Sequence, residues 1–150
     1  MTALAAGTGR DTRNIAAKER YNKIVETSAK VYQGALVSID STTGRAQAAA
    51  AATGQDDIVR GIAESTQTGD TAGTVRVEIV SNIQAKFAVT ASVVTQAKVG
   101  VNCYVKDDNT VTTATDAGTA LVRVLVGELV EKIDTNTWWV HVGRAVKNDA

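Results

Sequence analysis

The sequence predicts an all-β protein, a small β-barrel or β-sandwich with an extended N-terminal arm. The chain has 150 residues, enough for one domain with its own core. It contains no proline, only 4% of its residues are aromatic, and Ala, Thr, Val and Gly are abundant, a composition that favours thin layers of β-strands. Beyond residue 30, apolar side chains alternate with period two, and the segments end at Gly, Asp and Asn.

Residues 1–24 form the predicted arm, and residues 25–150 form a single β-rich domain. The arm carries several charges and few large apolar side chains, so it has no continuous apolar face that could form a core of its own. A short helix over residues 14–23 and a frayed terminus are the alternatives. An arm of this composition takes its order from a partner.

The domain opens with a predicted hairpin. Residues 30–39 alternate as a strand, and residues 45–48 pair back as its return strand. Residues 58–63 form a short apolar strand, and the glycine inside it, Gly61, is typical of a bulge or a close backbone approach. Residues 64–73 are rich in Ser, Thr, Gly and Asp and predict a loop.

The second half of the chain continues the alternation. Further strands are predicted over residues 74–80, 83–89, 99–105, 111–113, 121–130 and 138–142. The first of these alternates cleanly, so one face of the sheet there is solvated. A helical turn or an irregular crossover separates the second from the third. Short strands roughly ten residues apart predict a barrel or a sandwich.

Charge and hydropathy exclude several classes of function. The 16 basic residues balance the 16 acidic residues, so no long-range field attracts a polyanion, and we expect no nucleic-acid partner. No apolar run is long enough to cross a membrane. The first residues lack the basic start and the long apolar stretch of a secretory signal, so we expect no export.

Cys103 and His141 are the single cysteine and the single histidine, and we expect neither to be catalytic. A nucleophile needs a base that is itself oriented. Cys103 lies in the middle of a predicted strand and resembles an inert buried thiol. His141 lies in the last strand, where a solvated or hydrogen-bonded side chain is the common case. No set of residues predicts a metal site or a cofactor site.

Trp138 and Trp139 are consecutive in the last strand and point to opposite faces of it. If Val140 and Val142 face the core, Trp138 joins them, whereas Trp139 faces the other side together with His141. Trp139 then belongs to the second side of a barrel wall, or it is an anchor at an interface, where tryptophan is enriched.

Several motifs occur in a characteristic order between residues 30 and 142. They are K-x-Y-x-G-A-L-V at residues 30–37, V-x-G-x-A at 59–63, G-x-x-x-Y-V-x-D-D-x-T-V at 100–111, a glycine at 127 and W-V-x-V at 139–142. In order and spacing, the chain resembles the capsid decoration, or head cement, proteins of tailed bacteriophages. It departs from that family at Gln47, where proline is common, and in the polar segment over residues 64–73.

The resemblance implies a structural virion protein and no enzyme. Such a protein is made in the host bacterial cytoplasm, sits on the outer surface of the phage head, binds junctions between major capsid protein subunits and stabilises the expanded shell. It needs no catalytic residue, cofactor or metal. A small domain with a thin core gains from burying further surface against copies of itself, so we favour a homotrimer, with a dimer as the alternative.

The arm and Trp139 supply the candidate contact residues. In the arm these are Arg10, Arg13, Arg20 and Tyr21, because arginine and tyrosine are common at the centres of protein interfaces. Two other classes stay open. One is a small trimeric β-barrel hydrolase that uses Cys103 or His141, for which those two side chains would converge with an acid at hydrogen-bond distance. The other is a glycan-binding or host-attachment module, which would expose several aromatic side chains on one face.

Overall fold

A computed structural model describes residues 7, 11–13, 18–50, 58–114, 116–117 and 123–143, with the backbone alone at Arg13 and Ile58. In this part of the chain there are thirteen strands and one 3₁₀-helix, Gln96–Lys98. The strands are β1 (Thr12–Arg13), β2 (Glu19–Ile24), β3 (Lys30–Val31), β4 (Leu36–Ile39), β5 (Ala46–Ala48), β6 (Ile58–Ala63), β7 (Gln67–Thr68), β8 (Arg76–Ser81), β9 (Ile83–Val89), β10 (Asn102–Asp107), β11 (Thr110–Thr112), β12 (Leu125–Asp134) and β13 (Thr137–Val142). No described helix has the length and hydropathy of a membrane span.

Five strands close into a barrel in the order β9–β11–β10–β12–β13, with β13 pairing back onto β9. Only the β9–β11 pair in this ring is parallel. The barrel core is apolar and includes the fully buried side chains of Phe87, Leu129, Trp138 and Val140. The all-β prediction is therefore confirmed.

A second sheet has the order β2–β8–β6–β4–β5, and all its pairs are antiparallel. An isolated bridge between Val25 and Ala46 brings the chain after β2 against the opposite edge strand, so the sheet curls back on itself. Its concave side holds a second core that includes Val37, Val77 and Ile79.

The convex side of this sheet packs on the barrel. Leu36, Ile62 and Val80 belong to the barrel core, although other side chains of the same strands belong to the second core. Both faces of β4 are therefore buried, which is why three of its four side chains are apolar and only Ser38 is polar.

Gly61 allows β6 to pass close to β8. Its φ of 155° favours glycine, and a Cβ there would lie 2.1 Å from the carbonyl oxygen of Val80. The register also slips here, because Val37 pairs with Gly61 and Ser38 pairs with Val59, which leaves Arg60 as the extra residue of a bulge. Both features expected of this glycine are confirmed.

The structure differs from the sequence analysis in the segment after Lys30. The predicted strand over residues 30–39 is two strands, because a turn closed by the Ala35 N–H donating to the Tyr32 carbonyl interrupts it. Gly34 occupies that turn with a φ of 88°. The predicted loop over residues 64–73 contains β7, which pairs with β3. A two-residue strand carries too little periodicity to be recognised.

The largest difference concerns the arm. Residues 19–24 were assigned to it, but they form β2 and pair with β8 from Glu19 opposite Ser81 to Ile24 opposite Arg76. A strand at residues 19–24 also excludes a helix that continues to residue 23. The reason is long-range, since the edge of β8 presents backbone N–H and C=O groups that a neighbouring strand must satisfy. Because most side chains of β2 are polar, the segment shows no alternation of apolar and polar residues from which a strand could be predicted.

Candidate functional site

The described parts of the N-terminal segment, residues 11–13 and 18–24, contain strands that pair antiparallel with two consecutive strands. Its β2 pairs with β8 of the curled sheet, and its β1 pairs with β9 of the barrel. The corner between β8 and β9 is at Asn82, whose φ is 55°, a left-handed conformation that asparagine tolerates. One segment thus spans both parts of the fold.

The N-terminal segment passes from one of these strands to the other at the corner. Arg13 lies opposite Gln84 of β9, and Glu19 lies opposite Ser81 of β8. The place on the protein between these two pairs, at Asn82 and Ile83, is called the crossing below.

A cavity of about 220 Å³ lies at the crossing. Its buried lining residues include the apolar side chains of Ile62, Val80 and Ile83, which form the floor. Thr12, Lys18 and Gln33 line it with exposed side chains and form the rim. The described lining of the cavity therefore combines an apolar floor with a polar rim.

Arg20 forms an ion pair beside this cavity. Its guanidinium donates to the carboxylate of Glu64, which also lines the cavity. The two side chains are 51% and 34% exposed, so the pair contributes at most about 1 kcal/mol to stability. Its effect is to hold the Arg20 side chain across the end of β6.

Tyr21 is half-buried and packs against the second core. Its hydroxyl donates to the Glu19 carboxylate at 2.5 Å, and this hydrogen bond is the main reason that the pKa of Tyr21 is raised. The guanidinium of Arg60, the bulged residue of β6, lies 5.6 Å from the centre of the Tyr21 ring. The ring is fixed between an acid and a cation.

Trp139 lies on the outer wall of the barrel. Trp138 and Val140, its neighbours in β13, are fully buried in the barrel core, whereas Trp139 is half-buried. The face assignment made for these residues from the sequence is confirmed. The Nζ atom of Lys86 lies 5.5 Å from the centre of the Trp139 ring and 3.0 Å from the Oδ2 atom of Asp11.

The structure places four of the five candidate contact residues, and it distributes them between the curled sheet and the barrel. Arg20 and Tyr21 belong to the curled sheet, whereas Trp139 belongs to the barrel. Arg13 contributes its backbone to β1, on the edge of β9 opposite to β13, and Arg10 lies outside the described residues. The N-terminal segment connects the two groups.

Sequence reasoning missed the residues that contact these candidates: Glu64 at Arg20, Glu19 and Arg60 at Tyr21, and Lys86 with Asp11 at Trp139. It also missed Lys18 at the cavity. Lys86 occupies an outward position of an alternating strand, so its exposure was predictable from the sequence. Its place opposite Trp139 was not, because that follows from the β9–β13 register. Glu64 was assigned to a loop, although its N–H donates to the Glu78 carbonyl.

Cys103 and His141 lie on opposite faces of the barrel wall. Cys103 is opposite Gly127, which is opposite the inward-facing Val142, and its thiol is fully buried. Burial raises the pKa of this thiol far above its usual range. His141 alternates with Val142 and faces outward, where its Nε2–H donates to Asn82 Oδ1 at 2.8 Å. The hydrolase alternative required these two side chains to converge, and they do not.

Comparisons of the chain with protein-family models, with curated proteins and with solved structures found no match.

Proposed function

We propose that this chain is a capsid decoration protein that binds the outer surface of a tailed-phage head and stabilises contacts between major capsid protein subunits. The observation that carries the proposal is that Trp139, Lys86 and Asp11 form one connected surface. An aromatic anchor on a closed barrel thereby lies next to the N-terminal segment. The order of motifs over residues 30–142 supports the same family.

Rigidity favours this surface as a contact site. Trp139 belongs to a strand paired on both sides, with β12 and with β9, so little conformational entropy is lost when a partner covers the ring. Tryptophan, tyrosine and arginine carry a large share of the binding free energy at protein interfaces. Arg20 and Tyr21 present an arginine and a tyrosine on the curled sheet of the same chain.

Two contact groups on one chain suit a protein that bridges neighbours. If Trp139 contacts one subunit and Arg20 with Tyr21 contacts the next, each contact raises the effective concentration of the other. A homotrimer multiplies this effect, and a dimer would do so to a smaller degree. The preferred partners are therefore the major capsid protein and copies of this chain.

The proposal is tested by adding the purified protein to undecorated heads and imaging where new density appears. Trp139→Ala should reduce occupancy by at least tenfold at equal concentration, as expected for a central aromatic contact. Tyr32→Ala is a matched control, because the Tyr32 ring also lies under a lysine, with Lys30 Nζ at 5.0 Å, but belongs to the turn after β3. The proposal would be contradicted if the wild-type protein added no density to the heads. It would also be contradicted if Trp139→Ala and Tyr32→Ala lowered the occupancy equally.

A further inference from the structure

We infer that the cavity at the crossing binds one apolar side chain that is flanked by a carboxylate, supplied by a segment of the protein partner. The inference deepens the proposed function and rests on it for the identity of the partner. It starts from the size of the cavity, its apolar floor and the charges at its rim.

The volume limits the occupant to about one side chain. At about 220 Å³ the cavity is smaller than the roughly 300 Å³ at which sites for drug-sized ligands and cofactors begin. It is much larger than the space of about 30 Å³ that one water occupies in the liquid. An apolar cavity of about 150 Å³ already holds a benzene ring, so a phenyl or branched aliphatic side chain fits.

The floor selects an apolar group. Ile62, Val80 and Ile83 are 4–6% exposed and contribute to the barrel core. The backbone around the cavity is already satisfied, because Gly34 N–H donates to the carbonyl of Ala63. An apolar side chain placed here removes apolar surface from water without burying an unpaired backbone group.

The rim selects a negative charge. Arg20 and Glu64 neutralise each other, whereas Lys18 is exposed and pairs with no carboxylate in the described part of the chain. The hydroxyl of Thr12 and the amide of Gln33 line the same cavity and are able to donate hydrogen bonds. One uncompensated positive charge above an apolar floor favours an apolar group that carries an adjacent carboxylate.

The probe for this site is 3-phenylpropionate, which combines a phenyl ring with a carboxylate. Titrated into ¹⁵N-labelled full-length protein, it should shift the backbone amide signals of Gly34, Ala63 and Glu64 to saturation, with a dissociation constant of the order of millimolar. The neutral 3-phenylpropionamide should bind about threefold more weakly, the effect of one exposed ion pair. Propionate, which lacks the ring, should not saturate these signals.

Lys18→Gln should weaken binding of the acid about threefold and remove the difference between acid and amide. Lys23→Gln is the matched control, because Lys23 belongs to β2 but does not line the cavity. Ile83→Phe should fill the floor and abolish binding of both compounds. Its thermal unfolding shows whether it folds, and if it does not, Lys18→Gln carries the test alone.

The inference is wrong if the wild-type protein binds acid and amide equally, or if the signals that shift lie elsewhere. It is also wrong if heads are decorated normally by the Lys18→Gln and Ile83→Phe variants, a result that leaves the proposed function intact. Conversely, saturation of the cavity by the acid in a protein that never decorates heads would support the site and overturn the proposed function.

Discussion

Lys86 lies directly opposite Trp139 in the ladder between β9 and β13, with its ammonium 5.5 Å from the centre of the indole ring. The same ammonium contacts Asp11, whose carbonyl oxygen accepts a hydrogen bond from the Lys86 backbone N–H at 3.1 Å. One lysine of β9 therefore connects the residue that precedes β1 with the indole ring of β13.

Lys86→Gln should loosen the N-terminal segment without unfolding the barrel. The substitution removes an exposed ion pair and a cation–π contact, so the free energy of unfolding should fall by about 1 kcal/mol. Hydrogen exchange at the Lys86 amide should accelerate, because Asp11 accepts its hydrogen bond. Lys86→Arg should preserve protection, and an unchanged exchange rate in Lys86→Gln would show that the pairing of β1 alone holds the segment.

Gly61→Ala should destabilise the protein by more than about 3 kcal/mol, because the new Cβ would meet the Val80 carbonyl oxygen and the backbone conformation would also be strained. Gly44→Ala is the control, because that glycine has a φ of 71° but open space around its Cβ position. It should cost only about 1 kcal/mol. Urea unfolding of both variants measures the difference, and equal costs would exclude the close approach of β6 to β8.

Alternation predicted the strands and faces of β8, β9 and β13, because β9 and β13 each have one face in the barrel core and β8 alternates between exposed and buried side chains up to Ile79. Gly61 was recognised because a glycine inside an apolar strand has few other uses. The crossing could not be predicted in this way. It depends on which strand the polar residues 19–24 pair with, and backbone pairing between distant segments leaves no mark in the side chains of either strand.

Removal of residues 1–10 should leave the fold stable, whereas removal of residues 1–22 should not. The longer truncation deletes most of β2 and thereby exposes the edge of β8 and the second core beneath Tyr21. We expect the midpoint of thermal unfolding to change by less than about 3 °C for the shorter truncation and to fall by more than about 10 °C for the longer one. If both truncations melt like the full chain, β2 adds no stability.

Asp116 should give the protein an acid-sensitive component of stability. The carboxylate accepts hydrogen bonds from Thr112 Oγ1 at 2.7 Å and from Lys106 Nζ at 3.1 Å, and its pKa is lowered, with the Thr112 bond as the largest cause. A lowered folded-state pKa adds stability above the unfolded-state pKa, about 4, and that stability is lost as the pH falls through the folded-state pKa.

The Asp116→Asn variant should be less stable than the wild type by about 1 kcal/mol at pH 7, and the gap should narrow steadily below about pH 4. Urea unfolding at several pH values measures this gap. In a Thr112→Val background the effect of Asp116→Asn should be smaller, because the main hydrogen bond is already gone. A gap that is independent of pH would assign the loss to packing instead of charge.

The pairing of the N-terminal segment also sets the order in which the chain assembles. Asp11 and Lys86 are separated by 75 positions, so a ribosome that adds roughly 5–20 residues per second exposes the segment on the order of ten seconds before its partner strands exist. A strongly apolar strand would be prone to aggregation during this delay. We expect the charged side chains of β2 to keep the nascent segment solvated until β8 and β9 emerge.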